Sequence, residues 1–531
     1  MPADDLSLER RRKIDELATL GVPAYGVDFV PTVDLDGARR LLGEFESTDH
    51  APAADGSPSP GPEVRVAGRV MQYRLQGKSC FLHIEAEEER LQVWLRFDLV
   101  GEKGFALVRL LDLGDIVGIR GNVMRTRRGE PTVAATELTL LVKALHSPPE
   151  KYHGLQDQET RYRKRHLDLL GSVTQRRHFA ARSAVVVALR RTLDARGFLE
   201  VETPILQPIP GGAHAKPFVS HWNALHTDVY LRIAIELHLK RLLVGGYRRV
   251  FEIGRVFRNE GLSTRHNPEF TMLEAYQAYS DYQGMRELTE SLIVDAARAL
   301  GPARAAEDSA PRGADPLRRT VGGRELVLTP PFRTARMADL VAEACGFDPV
   351  AEWDHLAEHA GRLGVEVSAS QGPGAALLEI YEQRVEADLW DPTFVLDYPA
   401  EVSPLARRHR DDSRFVERFE LIVAGRELAN AFSELNDPID QRARFEDQAR
   451  RRAAGDDEAF FLDEDFLEAI EMGMPPAGGL GIGVDRLVML LTDSASIRDV
   501  LLFPMLRPRH RGEDEHGADT HLSPTQRTEE D

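Results

Sequence analysis

The stretch of sequence that decides the fold is VFEIGRVFRNEGLSTRHNPEFTMLEAYQAY, residues 250–279. Both ends are rich in β-branched and aromatic residues, which predicts two antiparallel strands around a loop at 261–267. Because strand side chains alternate, we expect Arg258 and Glu260 to share a face. Four different side chains would then surround one opening: Arg258, Glu260, His266 and Phe270. An arginine binds phosphate or carboxylate and a phenyl ring stacks on a base, so this is either a nucleotide site or a surface hairpin held by ion pairs.

Two further stretches place polar groups at alternate positions. Asn430, Phe432 and Glu434 follow one another on one predicted strand face, and Glu274 and Tyr276 have the same spacing. Polar groups directed together into a sheet require partners, and carboxylates beside an aromatic ring suit a bound ammonium. The pattern therefore indicates a cation pocket, with a water-filled polar sheet face as the alternative.

Anion and metal chemistry is indicated nearer the C-terminal end. Glu420 and Glu427 would hold Mg²⁺ beside a phosphate chain, unless they are simply solvated acids. The run GGLGIGVDRL, residues 478–487, predicts a glycine strand that leads into a helix, with Arg486 near the positive end of that helix. No βαβ unit follows it and no GxxxxGK[ST] motif exists, which excludes a dinucleotide fingerprint and a P-loop.

Composition limits the classes of protein that remain. The chain has 531 residues, enough for two or three domains, and its formal net charge of −19 argues against a generally basic nucleic-acid coat. Its two cysteines exclude a disulfide framework and a cysteine zinc cluster. We find neither an apolar run of membrane-spanning length nor a signal-peptide core, and therefore expect a cytoplasmic protein.

The chain also divides by pattern. Residues 64–142 contain five short β-rich runs, which predict a small barrel with the OB-fold as the natural candidate. Residues beyond 162 mix helical periods with strands that are not adjacent, which predicts an α+β fold on an antiparallel sheet. In chain order, we expect an N-terminal helix and flexible linker at 1–60, the barrel at 61–148, the main domain at 149–510 and a disordered acidic tail at 511–531.

Together these stretches resemble the lysyl-tRNA synthetase family of class II aminoacyl-tRNA synthetases. RGFLEVETPIL at 196–206 resembles motif 1, residues 250–279 resemble motif 2, and GLGIGVDRLVML at 479–490 resembles motif 3. Three more stretches are similar to the same family: HGLQDQETRYRKRHLDL at 153–169, PAEVSPLARRHR at 399–410 and FSELNDPIDQRARFEDQ at 432–448. The resemblance implies an OB-fold anticodon-binding domain followed by a class II catalytic domain, an antiparallel sheet flanked by helices.

The resemblance further implies a reaction and its residues. The family joins lysine to the α-phosphate of ATP as lysyl-adenylate and then transfers lysine to the 3′ end of tRNA(Lys), without an enzyme nucleophile. The implied catalytic residues are Arg258 and Arg486. The implied ATP contacts are Arg258, Glu260, His266, Asn267, Phe270, Glu420 and Arg486, and the implied Mg²⁺ ligands are Glu420 and Glu427. The implied lysine contacts are Gly212, Glu236, Arg258, Glu274, Tyr276, Asn430, Phe432 and Glu434.

Partners follow from the same resemblance. Within the barrel it assigns anticodon binding to Phe81, Gln92 and Glu137, because an aromatic stack with polar contacts to base edges suits single-stranded RNA. Motif 1 implies a homodimer. The implied partners are tRNA(Lys), lysine, ATP and a second copy of the chain, with no membrane.

Some positions depart from the family pattern. The family usually carries proline and tyrosine where this chain has Ile235 and His238, and GGAAARPF where this chain has His214 and Lys216. Ile235 and His238 flank the implied α-ammonium site, so they would tune lysine affinity or mark another acceptor. The alternatives are therefore a paralogue that lysylates a protein such as elongation factor P, an aspartyl- or asparaginyl-type synthetase, or a catalytically silent tRNA-binding regulator.

Overall fold

The computed structural model describes residues 3–26, 28–48, 61–149, 155–301, 315–367, 372–456, 459 and 461–508. The chain divides into two compact units, Met1–His178 and Phe179–Asp531. The linker expected within 1–60 lies largely outside the described residues, and the tail expected at 511–531 lies entirely outside them. Within the described ranges, no helix combines the length and apolar character that crossing a bilayer requires.

Five strands of the first unit close into the predicted barrel. The elements of the first unit are α1 Ala3–Thr19, α2 Leu35–Glu46, β1 Glu63–Gln76, β2 Ser79–Ala86, β3 Glu89–Arg96, α3 Phe97–Leu110, β4 Ile116–Arg125, β5 Pro131–Val142, α4 Gln158–Arg163 and α5 Arg165–Gly171. The strand order is β1-β2-β3-β5-β4, and only β3 and β5 run parallel among these barrel pairs. Buried and exposed positions alternate along the strands, so Val64, Val66 and Leu82 fill the interior.

Charged side chains attach helix α1 to the barrel. Arg10 is 4% exposed and donates to the carbonyls of Leu113 at 3.0 Å and Ala144 at 2.9 Å. The fully buried Lys143 lies 2.6 Å from an oxygen of Asp112 and 2.8 Å from one of Asp115. These contacts satisfy groups that burial would otherwise leave unpaired.

The second unit is built on one large sheet. Its strands are β6 Leu199–Glu200, β7 Leu206–Gln207, β8 Val219–Trp222, β9 Thr227–Leu231, β10 Arg249–Phe257, β11 Glu269–Ala278, β12 Arg318–Val321, β13 Arg324–Val327, β14 Arg333–Arg336, β15 Thr393–Leu396, β16 Arg418–Ile422, β17 Glu427–Ser433 and β18 Ala477–Gly483. Eight of them form the sheet in the order β14-β15-β16-β17-β18-β11-β10-β6. Its central pairs are antiparallel, as the sequence predicts, and the outer pairs β14–β15 and β10–β6 are parallel.

Helices surround this sheet. They are α6 Val173–Ala195, which begins before the boundary between the units, α7 Glu236–Val244, α8 Tyr282–Ala299, α9 Met337–Cys345, α10 Leu356–Arg362, α11 Pro373–Arg384, α12 Pro438–Ala453, α13 Glu464–Glu471, α14 Val484–Leu491 and α15 Ile497–Val500. Short 3₁₀ turns span Trp353–His355, Glu386–Asp388 and Ala400–Val402.

The two faces of the sheet differ in chemistry. Leu273 and Ala275 of β11 are buried in the main hydrophobic cluster with residues of α6, α8 and α14. The alternate residues Met272, Glu274 and Tyr276 line a cavity instead. The same alternation along β17 and β18 leaves one polar face, and this face carries the candidate site.

Candidate active site

A cavity of about 470 Å³ lies on the polar face of the large sheet. With the exception of Glu434, every residue that the sequence placed at the nucleotide, metal or lysine sites lines it. These residues are Gly212, Glu236, Arg258, Glu260, His266, Asn267, Phe270, Glu274, Tyr276, Glu420, Glu427, Asn430, Phe432 and Arg486. Side chains separated by up to 274 positions in the sequence therefore meet in one place, in a volume suited to a small-molecule substrate.

The floor of the cavity follows from strand register. Gly481 of β18 is paired with Glu274 of β11 on one side and with Asn430 of β17 on the other. Asn430 is in turn paired with Glu420 of β16. Because the central member of this row has no side chain, the polar groups on either side of it face an open floor.

One end of the cavity is suited to a nucleotide. Strand β10 ends at Phe257, so the expected strand alternation does not extend to Arg258 and Glu260, although both line the cavity. The Arg258 guanidinium lies 5.2 Å from the centre of the Phe270 ring. Burial lowers the pKa of Arg258, while Glu260 opposes this effect, and a guanidinium so placed favours an anionic partner.

The loop between the two strands is held by local hydrogen bonds. The Ser263 hydroxyl accepts from the backbone N–H of His266 at 3.0 Å and contacts its Nδ1 at the same distance. The side chain of Asn267 donates to the carbonyl of Glu269 at 2.6 Å. These bonds explain how a loop with exposed residues keeps a defined shape above the cavity.

A carboxylate on β16 and another on β17 are each paired with a guanidinium group, one from β16 and one from α14. Glu420 accepts from Arg418 at 2.6 Å, and Glu427 accepts from Arg486 at 2.9 Å. Burial, followed by repulsion from Glu427, raises the pKa of Glu420 to about 7. Arg418 was missed by sequence reasoning, although its position two residues before Glu420 on a strand could have indicated it.

The carboxylate pair suits magnesium. Among the described residues, no group of three or more His, Cys, Asp or Glu side chains is arranged to hold a metal ion. Mg²⁺ in phosphate-transferring sites usually takes one or two carboxylates and obtains its other ligands from phosphate oxygens and water. The mutual repulsion that raises the pKa of Glu420 would be relieved by a cation shared with Glu427.

The other end of the cavity is acidic. Glu274 accepts from the backbone N–H of Ile235 at 3.0 Å and from the hydroxyl of Tyr276 at 3.1 Å. Burial, and then the nearby carboxylate of Glu236, raise the pKa of Glu274 to about 7. Gly212 has φ +86° and a Cβ there would lie 3.3 Å from the Cβ of Glu236, so its backbone approaches this end closely.

Glu434 does not line the cavity itself but is buried next to its floor, where a methyl group at Gly479 would clash with its Oε1. It is 1% exposed, and one of its oxygens is 2.5 Å from the Nζ of Lys240. Lys240 also lies 2.5 Å from an oxygen of Glu236 and 5.5 Å from the centre of the Phe432 ring. Sequence reasoning missed Lys240. Its spacing of four residues from Glu236 was the available signal, but using it required knowing that a helix begins there.

The two departures near this end have different surroundings. Ile235 is fully buried against Leu239 and Tyr276 and contributes its N–H to the pocket. His238 faces Gln207, with 3.4 Å between the Gln207 amide and the imidazole Nδ1, and does not line the cavity. Burial lowers the pKa of His238.

The barrel brings two of its three expected anticodon residues onto neighbouring strands. Phe81 faces Trp94 across β2 and β3, with nearly parallel rings 5.7 Å apart. Gln92, two residues before Trp94, donates to Glu130 at 2.7 Å. Glu137 is exposed on β5, opposite Arg120 of β4. Trp94 was not predicted, because the β2–β3 register was unknown.

Comparisons with known proteins agree with this geometry. Residues 64–141 match the family model for the OB-fold nucleic acid binding domain, and residues 157–507 match the model for class II tRNA synthetases (D, K and N). The chain therefore belongs to the class II tRNA synthetases. A lysine–tRNA ligase of Moorella thermoacetica is 49% identical over 95% of this chain and 98% of its own length, and one of Oceanobacillus iheyensis is 51% identical over 94% and 98%. These similarities assign the chain, within that class, to the lysine–tRNA ligase family.

Proposed function

We propose that this chain activates lysine with ATP and transfers it to the 3′ end of tRNA(Lys). One observation carries the proposal: a single strand face of β11 joins the nucleotide end to the acidic end. Phe270, Met272, Glu274 and Tyr276 lie at alternate positions and all line the cavity. At about 3.4 Å per residue, Phe270 and Glu274 are about 14 Å apart along the strand, a span suited to an aminoacyl-adenylate.

In the first step, a lysine carboxylate oxygen attacks the α-phosphorus of ATP and pyrophosphate leaves. Arg258 would bind both anions, because its fork suits carboxylate and phosphate oxygens and it lies beside the stacking ring of Phe270. Arg486 in the first turn of α14 would bind the phosphate chain, exchanging its contact with Glu427 for phosphate oxygens. In the second step, the tRNA 3′ hydroxyl attacks the lysyl carbonyl carbon and AMP leaves.

The carboxylates at the two ends of the cavity would bind the metal ion and the ammonium groups of lysine. Glu420 and Glu427 would hold Mg²⁺, which neutralises phosphate charge when bound. Glu236, with the backbone of Gly212, would bind the α-ammonium group of lysine. Glu274, Tyr276 and Glu434 would bind its side-chain ammonium group, and Asn430 and Phe432 would complete the pocket. Glu260, His266 and Asn267 would contact the nucleotide from the loop above it. We also propose the anticodon role of Phe81, Gln92 and Glu137, a homodimer and a cytoplasmic location.

The test is ATP–pyrophosphate exchange with each of the twenty amino acids, followed by charging of transcribed tRNA with the anticodon UUU. We expect exchange with lysine alone, and then charging. Arg258→Ala is expected to reduce exchange by about a hundredfold or more, because it removes charge stabilisation at the reacting phosphate. Arg255→Ala is the matched control, because this half-buried arginine of β10 pairs with Glu269 and does not line the cavity.

Three outcomes would contradict the proposal in different ways. Exchange with another amino acid would reassign the acidic pocket. Lysine exchange without charging would indicate another acceptor, such as a protein lysine. No exchange with any amino acid would show that the site serves binding without this chemistry.

A further inference from the structure

Arg418 lines the cavity, but the proposed reaction gives it no part. It lies two residues before Glu420 on β16, so the two side chains share a face of that strand. In the register between β16 and β17, Glu420 is opposite Asn430. The guanidinium of Arg418 reaches both of these side chains, one assigned to the metal ion and the other to lysine.

Every nitrogen of this guanidinium has a protein partner. Nη2 donates to a carboxylate oxygen of Glu420 at 2.6 Å, and Nη1 donates to the hydroxyl of Ser403 at 2.9 Å. Nε donates to the Oδ1 of Asn430, also at 2.9 Å. The central carbon of the guanidinium lies 4.4 Å from the centre of the Tyr398 ring. Arg418 is therefore held in one orientation by the protein itself, and its donors are already engaged.

The contact with Asn430 decides how that amide is turned. Because an arginine only donates hydrogen bonds, the atom of Asn430 that it contacts must be the amide oxygen. Asn430 lines the cavity, and in the part of the chain that the structure describes, no protein acceptor takes a hydrogen bond from its Nδ2, which is not sealed from solvent. A group with two N–H donors is thus left open to the cavity.

The chemistry of lysine specifies what this donor can bind. The two ammonium groups of lysine only donate hydrogen bonds, whereas its carboxylate only accepts them. An amide that presented its oxygen would attract an ammonium group, but one that presents Nδ2 attracts the carboxylate. Asn430 stands between Glu420 and Glu274 in one row across the sheet, with Gly481 beside it. In the proposed reaction, the lysine carboxylate would meet the phosphate between these two acidic side chains.

We propose that Arg418 is a positioning residue that turns Asn430 so that its N–H groups bind the carboxylate of lysine. The inference rests on the proposed function and concerns the same pocket. Arg418 itself touches no substrate and acts only through Asn430. It determines which end of the ligand the amide recognises, so the pocket prefers an amino acid to a diamine of the same length.

The first test compares two ligands by titration calorimetry without ATP or metal: lysine, and cadaverine, which is lysine without its carboxylate. Arg418→Met removes the group that holds the amide oxygen of Asn430. We expect the Kd for lysine to rise about tenfold or more, on the scale of one hydrogen bond to a charged group. The Kd for cadaverine should match that of the wild type, because cadaverine has no carboxylate for the amide to bind.

Arg418→Lys separates orientation from charge and disturbs the fold less. It keeps a cation beside Glu420 and Tyr398, but a single ammonium group lacks the planar fork that serves three acceptors at once. We expect the Kd for lysine to rise severalfold in this variant too, with the Kd for cadaverine again unchanged.

A double-variant cycle shows whether Arg418 acts through Asn430. Asn430→Ala removes the donor and should weaken lysine binding as much as Arg418→Met does. Because both substitutions remove the same contact with lysine, adding Arg418→Met to Asn430→Ala should cause no further loss. If Arg418 bound the carboxylate of lysine itself, the two losses would add.

Arg319→Met is the matched control. Arg319 is a buried arginine of the same unit that donates to the carbonyls of Ala297 at 2.6 Å and Gly301 at 2.8 Å, and it does not line the cavity. This substitution should lower thermal stability and leave both Kd values unchanged.

Three results would overturn the inference. They are a wild-type Kd for lysine in Arg418→Met or Arg418→Lys, an equal loss of affinity for lysine and cadaverine, and additive losses in the double variant. Failure of the proposed function is distinguishable, because the wild-type protein would then bind no lysine and catalyse no lysine-dependent exchange.

Discussion

Ile235 acts in the pocket through its backbone. Its N–H donates to a carboxylate oxygen of Glu274 at 3.0 Å, while its side chain is fully buried. The lysyl-tRNA synthetase family usually carries proline at this position, and proline has no N–H to donate. In this chain, Glu274 therefore receives a hydrogen bond that a proline could not supply. The bond favours the ionised carboxylate and limits the upward shift of its pKa.

Replacing Ile235→Pro tests this bond. Without the donor, the pKa of Glu274 should rise above its value of about 7, so more of the carboxyl is neutral at pH 7. We expect the KM for lysine at pH 7 to rise about three- to tenfold, on the scale of the roughly 0.5–1.5 kcal/mol that one hydrogen bond contributes net. The KM should fall as the pH rises, because the ionised form then returns. Steady-state exchange from about pH 6.5 to about pH 8.5 measures both effects.

Ile235→Val is the control for this change. It keeps the N–H and removes one methylene group, at an expected cost of about 0.5–1.5 kcal/mol in the free energy of unfolding. Its KM profile should follow that of the wild type. Equal KM values for the proline and valine variants at every pH would show that the N–H contributes nothing to lysine binding.

Individual residues differed in how far the sequence could predict them. Arg258 and Phe270 lie in one short stretch with a recognisable pattern, and both line the cavity as expected. The position of Glu434 depends on Lys240, which lies 194 residues earlier in the chain and approaches it only after the helix packs on the sheet. A pairing of this kind has no local signal in the sequence.

At the scale of elements, α1 depends on a few buried charged contacts. Arg10 donates to two backbone carbonyls and, at 2.7 Å, to the hydroxyl of Ser147. Lys13 lies 2.7 Å from Asp112, which also contacts the buried Lys143. Since the carbonyl partners of Arg10 belong to segments around the barrel, removing the arginine would leave buried acceptors unsatisfied.

Arg10→Met is therefore expected to lower the free energy of unfolding of the first unit by about 2 kcal/mol. Arg12, two residues further along α1, is exposed, so Arg12→Met should stay within about 0.5 kcal/mol of the wild type. Hydrogen exchange of the barrel amides measures both. Equal effects of the two substitutions would contradict a specific role for the buried arginine.

The limits of strands were less predictable than their existence. The five barrel strands and the motif 2 hairpin follow from alternation and turn residues, as the sequence indicates. The end of β10 at Phe257 does not follow from the sequence, because the pattern continues through Arg258 and its neighbours and predicts a strand there as well. Tertiary contacts at the site, including the bond from Arg258 to the carbonyl of Ile233, decide the conformation there.

At the scale of the whole molecule, the two units carry separate parts of the proposed function. The catalytic cavity lies in the second unit, and the candidate anticodon residues lie in the first. In the proposed reaction, activation of lysine uses no tRNA, whereas charging would use both units. Substitutions in the barrel should therefore affect charging and leave exchange unchanged.

Phe81→Ala tests this division. We expect the KM for tRNA in charging to rise about tenfold, because stacking of a base on an aromatic ring contributes about 1–3 kcal/mol. Lysine-dependent exchange should match the wild type. Tyr25→Ala, at an exposed aromatic residue of the same unit, should change neither. A parallel loss of exchange in Phe81→Ala would indicate damage to the fold instead of lost RNA contact.

The glycine strand β18 has a consequence for how such a pocket diverges. The positions of β18 that face the cavity include Gly479 and Gly481, and a methyl group at Gly479 would approach a carbon of the Tyr276 ring to 2.5 Å. These two glycines therefore offer no side chain that a substitution could exchange to change the shape of the cavity floor. A descendant that adopts another amino acid must change its flanking strands, which also build the core. The substitutions that change the preferred amino acid would then also lower the stability of the fold.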